Sequence, residues 1–301
     1  MNGLTRAILF GNYLYGFCAV ALSIEASLQQ HSSLNSLPYY CFVFVSTVLY
    51  YTHAYIAEPK DNSANKRSNW YYENSLLIKR SQILLTIVFL FIGWHLIRQN
   101  WEVILQINLL QWALILVFPL VAALYYGSAA PHRATHSLRN NGWLKPFVIG
   151  FVWAGAVTVY PVLFGSIEHR TVYAPDWVSV LLFIKNFMYI TMLCVMFDIK
   201  DYAADHNHQL KTFVVRYGLR KTIFYFIIPL SLVGLGTFIL FALLRNFPVL
   251  RILINTIPFI LLIIVAYSMH RRKSILYYLA IIDGLMLVKA ICGSIGISLI
   301  N

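Results

Sequence analysis

Charge is what this sequence has least of. Only 11% of its 301 residues are charged, and only 11 residues are acidic: six aspartates and five glutamates. Soluble domains carry charge at roughly a quarter of their positions, so this composition excludes an ordinary water-soluble enzyme. The four cysteines, Cys18, Cys41, Cys194 and Cys292, all fall inside apolar stretches. None has metal-ligand spacing, which argues against a zinc site or a disulfide scaffold and for small buried thiols. No glycine-rich phosphate loop and no Ser-His-Asp arrangement is present. Nor is there a basic face. The net charge is +12, but the 23 lysines and arginines are dispersed between apolar segments, which speaks against nucleic acid as a partner. The first apolar segment, 4–28, is too long for a signal-peptide core and lacks a cleavage site, so it is expected to be a retained span.

What the chain does have is apolar length, with 59% hydrophobic residues. A helix needs about 20 mainly apolar residues to cross a bilayer. Stretches of that kind predict an all-α, polytopic membrane protein, one domain over residues 1–301. Nine spans are expected, near 4–28, 36–57, 82–99, 103–126, 146–166, 177–197, 221–243, 251–269 and 275–299. Cytoplasmic loops carry the excess of Lys and Arg. Seventeen of the 23, Lys221 included, fall at the N-terminal end or in the loops after the even-numbered spans, against Arg98, Arg170, Arg245 and Arg251 on the other side. This predicts a cytoplasmic N-terminus and an external C-terminus. Attraction to the headgroups of membrane lipids is a secondary consequence. Only the loops 58–81 and 198–220 are long, both are polar, and both lie on the cytoplasmic side.

The second long loop holds Asp198-Ile-Lys-Asp-Tyr-Ala-Ala-Asp205, half of all the aspartates within eight residues. On a helix continued past Phe197, Asp198, Asp201 and Asp205 point within an arc of about 60°. Three carboxylates on one face repel one another unless cations lie between them. Magnesium takes one or two carboxylates together with substrate phosphates, so the spacing points to a magnesium-bridged diphosphate. The alternative is a solvated helix end whose aspartates pair with Lys200 and nearby bases.

Asp198-x-x-Asp201-x-x-x-Asp205, followed by Lys211-Thr212-x-x-Val215-Arg216-x-Gly218, resembles the second aspartate-rich motif of the UbiA superfamily of intramembrane prenyltransferases. The stretch Leu144-Lys-Pro-Phe-Val-Ile-Gly-Phe-Val-Trp153 is similar to that family's fifth helix. The resemblance implies a nine-helix bundle around a cytoplasm-facing cavity. It also implies transfer of a prenyl group from an isoprenoid diphosphate donor to a lipophilic acceptor, aromatic acceptors included, with Mg2+ as cofactor. By position, Asp198, Asp201 and Asp205 would ligate magnesium, Lys211 and Arg216 would contact the diphosphate, and Asn12 would lie near the cavity.

The family's first motif, Asn-Asp-x-x-Asp-x-x-x-Asp after the second helix, has no intact copy. Glu58, Asp61 and Asn65 repeat the three-then-four spacing and would make a weak second metal site, although Pro59 disfavours a helix through Glu58. A second alignment puts His53 and Tyr55 there, which cannot replace a magnesium site. The remaining reading is a solvated loop whose Lys66, Arg67, Lys79 and Arg80 face the membrane surface or phosphates. Two further functions therefore stay open: a non-catalytic relative that binds a lipid diphosphate, and a transporter or flippase, for which no duplicated broken spans speak. A bacterial inner membrane is the expected location. Polar residues within spans are expensive in hydrocarbon, which singles out Asn12, Lys185, Asn186, Asp283 and Lys289, with interhelical bonding as their expected role. His132 and His136 have a metal-like spacing but no third ligand. His206 and His208 could adjust the charge of the acidic motif.

Overall fold

The computed structural model describes residues 3–56, 66–126, 142–202, 212–271 and 273–298. Its ordered elements are helices, with no strand among the described residues. Six helices are long and apolar enough to cross a membrane: Ser75–Gln99, Lys145–Glu168, Trp177–Asp201, Leu219–Leu244, Val249–Ser268 and Ile275–Ser298. The first expected span is a bent pair, α1 (Gly3–Phe10) and α2 (Tyr13–Gln29), which makes a seventh if counted as one. The chain is an integral membrane protein by these helices.

Two expected spans form helices below that standard. Helix α3 (Leu37–Ile56) is long enough but rich in tyrosine, and α6 (Leu109–Tyr126) is short, with Pro119 inside it. The expected start of α6 at 103 is corrected by local chemistry. Asn108 Oδ1 accepts the Gln111 amide and Gln111 Oε1 accepts the Asn108 amide, both at 2.9 Å. This reciprocal cap starts the helix at Leu109, and Trp101–Ile104 forms a separate turn. After α4 (Lys66–Glu73), helix α5 (Ser75–Gln99) starts seven residues before the expected 82. Lys79 and Arg80 lie in that added length, where long basic side chains snorkel to the interface.

Helices α7 (Lys145–Glu168) and α8 (Trp177–Asp198) pack closely, and α2 threads between α7 on one side and α11 (Ile275–Ser298) on the other. Helix α3 joins α2 to the outermost helix, α5, while α9 (Leu219–Leu244) packs on α10 (Val249–Ser268), which packs on α11. The α7–α8 approach depends on Gly150. A Cβ there would overlap Thr191 Oγ1 and press on the Phe187 carbonyl at 3.2 Å. Gly150→Ala is therefore expected to destabilise by about 1–3 kcal/mol, as overpacking does. Adding Thr191→Ala should recover much of that loss, because the Thr191 hydroxyl is buried without a hydrogen bond. Thermal unfolding of the three variants in detergent checks this.

Three helices contain a π turn: Gly155–Val159 in α7, Thr222–Ile227 in α9 and Tyr278–Ile282 in α11. Pro161 and Pro229 follow the first two closely. A proline lacks the N–H for the preceding turn and its ring crowds the carbonyl four residues back, so the wider turn relieves both problems.

Candidate functional site

Helix α8 ends at Asp198 and tightens into a 3₁₀ turn over Ile199–Asp201. In such a turn positions i and i+3 eclipse, so Asp198 and Asp201 emerge on one side at different depths. Asp198 is 2% exposed. Its Oδ1 lies 2.7 Å from Lys145 Nζ, while its Oδ2 is buried with no hydrogen bond. Asp201 is at the rim, with Oδ1 2.8 Å from Lys200 Nζ. The two described carboxylates thus each have a lysine. Asp205 and Lys211 lie outside the described residues, as do Glu58, Asp61 and Asn65 and the four histidines His132, His136, His206 and His208.

Lys145 was not singled out as a site residue from the sequence. The signal was present: a lysine in the first turn of a helix opposes the helix dipole, so it needs an anion from elsewhere. That anion is Asp198, 53 residues away in sequence.

The downstream motif has local duties. Thr212 caps the short helix Phe213–Tyr217, its hydroxyl oxygen accepting the Val215 amide at 3.4 Å. Gly218 ends that helix with φ 82° and ψ 151°, a region essentially closed to side chains. Gly218→Ala should thus cost about 1–3 kcal/mol, read as a lower melting temperature in detergent. Arg216 is exposed, with its guanidinium 5.8 Å from the Trp143 ring centroid.

Asn12 supplies the bend between α1 and α2, which is 61°. It is in the left-handed region, φ 66° and ψ 11°, where asparagine is one of the few tolerated residues with a side chain. The side chain is fully buried. Its Nδ2 donates to Thr52 Oγ1 at 3.1 Å and Tyr71 Oη at 3.0 Å, and its Oδ1 accepts from Arg67. Arg67 is itself only 2% exposed, so its guanidinium belongs to the interior and not to a solvated loop. It donates to the Phe10 carbonyl and the Tyr55 hydroxyl, and it stacks over the Tyr55 ring at 4.0 Å. The bend exposes backbone carbonyls: that of Phe10 accepts from Arg67 and Tyr71, and that of Gly11 from the Thr52 hydroxyl.

Asp283, at the break in α11, completes the cluster. It is buried, with Oδ2 lacking a hydrogen bond, and its backbone carbonyl accepts from the Cys18 thiol at 3.6 Å. Arg67 and Lys200 act on it electrostatically, and the Cys194 thiol, one turn before Asp198, feels both Asp198 and Asp283. Asp198 and Asp201 at the end of α8 and Asp283 at the break in α11 thus lie toward the same end of the bundle. Beside them is an aromatic wall. The Tyr15 and Tyr51 rings stack at 4.5 Å, and the Trp153 indole donates to the Tyr51 hydroxyl.

Of the other polar residues within spans, Asn186 and Lys289 have bonding roles away from this cluster, whereas Lys185 departs from the expected interhelical bonding, with no hydrogen bond or ion pair among the described residues. Asn186 Nδ2 donates to Thr158 Oγ1 at 2.8 Å, across α8 and α7. Lys289 meets neither Asp283 nor the cluster but Glu25 of α2, with Nζ 2.7 Å and 3.0 Å from the two carboxylate oxygens.

No family model matches the sequence, and no curated protein matches it. Its fold is shared with a solved structure described as a digeranylgeranylglyceryl phosphate synthase in membranes. The likeness covers 99% of each chain with a TM-score of 0.55, at 15% sequence identity. The class of protein that the fold defines is therefore a helical, integral membrane protein with the architecture of that synthase.

Proposed function

We propose that this chain is a UbiA-type enzyme of nine membrane-crossing helices. It would transfer a prenyl group from an isoprenoid diphosphate to a lipophilic acceptor, with magnesium bound at Asp198 and Asp201. The observation that carries the reading is the Asp198 carboxylate: buried, held by Lys145, and left with one unpartnered oxygen. An oxygen fixed in that way fits a hard cation, and two carboxylates plus substrate phosphates are a usual magnesium set. Among the described residues there is no cluster of three acidic, histidine or cysteine ligands, so Asp205 would be the third member, and Glu58, Asp61 and Asn65 a weaker second set. Bound there, magnesium would offset the charge of the departing diphosphate.

The chain's own groups divide the remaining work. The allylic C–O bond breaks and its electron pair leaves with the diphosphate, which Lys145, Lys211 and Arg216 would stabilise as it departs. The positive charge left on the allylic fragment would face the Tyr15 and Tyr51 rings, whose π faces attract cations. An acceptor atom then bonds to the prenyl carbon and gives up a proton, for which Asp283 Oδ2 is an available acceptor. The bias of the loop charges supports a cytoplasmic site with the C-terminus outside, and a bacterial inner membrane is the proposed location.

Full-length protein in detergent, supplied with magnesium, radiolabelled isoprenoid diphosphates and a panel of lipid and aromatic acceptors, should release diphosphate. Chelation should stop release, and added magnesium should restore it. One observation favours a second reading: Asp198 and Asp201 are each already neutralised by a lysine. A chain that binds the lipid diphosphate without turnover would show magnesium-independent binding and no release with any acceptor. Magnesium-independent flux of substrate across proteoliposomes would overturn both readings.

A further inference from the structure

A cavity lies toward the opposite end of α8 from Asp198. It measures about 630 Å³ and opens between α8, α9 and α10, within the ~300–1,000 Å³ range of small-molecule sites. Helices α8 and α9 meet on either side of it, at Ser231–Met192 and at Trp177–Phe241, and stand apart between. Its walls are the apolar faces of membrane helices, Leu181 and Val233 among them, and both are exposed on the lipid side.

Three cations line this apolar groove: Lys185, Arg245 and Arg251. Arg245 sits where α9 ends and Arg251 in the first turn of α10, so both lie at the level where lipid headgroups meet the helix ends. The Arg245 guanidinium lies 4.7 Å from the Trp177 ring centroid and that of Arg251 4.0 Å from Phe247. Stacking of this kind holds a guanidinium by its face and leaves its N–H edge available as a fork. Lys185 is about 12 Å further in, eight residues along α8, and its ammonium has only the Phe238 ring at 5.6 Å. None of the three has a carboxylate at ion-pair distance among the described residues. Asp176, the one acid in the lining, has its Oδ1 engaged by the Ser179 amide and hydroxyl, each at 2.9 Å. Glu25, deeper in, is bound to Lys289. A cation without a counter-ion inside the hydrocarbon layer is costly and marks a ligand site.

We infer that this groove is a binding site for an anionic phospholipid of the leaflet opposite Asp198. Its headgroup phosphate rests on Arg245 and Arg251, and one acyl chain runs along the groove past Lys185. A soluble anion does not match a long apolar groove, and a zwitterionic lipid leaves the three cations uncompensated. The headgroup end of the site, at Trp177, lies roughly 30 Å along α8 from Asp198, and the site does not depend on prenyl transfer.

Native mass spectrometry of the full-length protein with equimolar dioleoyl phosphatidate and dioleoyl phosphatidylcholine tests this. One phosphatidate should be retained, with about tenfold preference over phosphatidylcholine. Arg245→Gln with Arg251→Gln should lower its retention about tenfold. Thr237→Trp, which keeps all three cations but fills the groove, should lower it as much, and it decides the matter if the double variant fails to fold. Leu90→Trp, on the lipid-facing surface of α5, should change nothing. Equal retention of both lipids, or retention unaffected by Thr237→Trp, would overturn the inference. Displacement of the lipid by millimolar inorganic phosphate would overturn it in favour of a free anion.

Discussion

Asp198→Ala should reduce magnesium-dependent diphosphate release about a thousandfold, the scale of losing a preorganised electrostatic group at a reacting centre. The same change should also destabilise the fold. Asp198 is buried against Lys145, whose side chain keeps 35% exposure, so solvent screens part of the stranded charge and the loss is about 1–3 kcal/mol. The two effects separate in a second variant. With Asp198→Asn and Lys145→Met together, no charge is stranded, so the melting temperature should return toward that of the parent while release stays lost. If the double variant regains release along with stability, Asp198 is a structural anchor and the magnesium reading is wrong.

The second large effect concerns the Glu25–Lys289 pair, which ties α2 to α11 deep in the bundle. Gly293, one turn beyond Lys289, makes the room, because a Cβ there would overlap the Glu25 carboxylate. Gln29 Nε2 adds a hydrogen bond to Glu25 Oε1 at 2.6 Å. Lys289→Met should cost about 3–5 kcal/mol, and Glu25→Gln a similar amount, since each leaves a bare charge in a medium that solvates it poorly. Glu25→Leu with Lys289→Met should cost far less than the sum of the single changes and could even stabilise the fold. Melting curves of the four proteins give the coupling directly. Additive losses would show that the carboxylate and ammonium do not depend on each other.

The helices were legible because the bilayer enforces them. With no water to bond the backbone, a crossing segment must be helical and apolar, and both properties are visible in one dimension. The partners of the buried charges were not. Lys145 finds Asp198 and Lys289 finds Glu25 only after folding, and helical spacing within one segment cannot report a contact across 53 or 264 residues. Asn12 stands out in the sequence as a polar group within a span, yet its backbone role at a bend depends on a left-handed conformation that composition does not encode. Arg67 misled in the other direction. It sits in a polar loop and reads as solvated, but the carbonyl of Phe10 and the amide of Asn12 draw it inside. The regular 100° advance also failed at Asp198, where the helix tightens into a 3₁₀ turn.

The π turn at Gly155–Val159 carries one more residue than an α-helix would need to cover the same rise. Were the same residues wound as an unbroken α-helix, without the π turn, the two halves would be rotated by about 100° from their present relative phase. Lys145–Ala154 is fixed against α8 and Tyr160–Glu168 against α2, so both could not keep their partners. The azimuth at which Lys145 meets Asp198 is thus tied to an insertion three turns away, and the inner and outer halves of the bundle are phased by it.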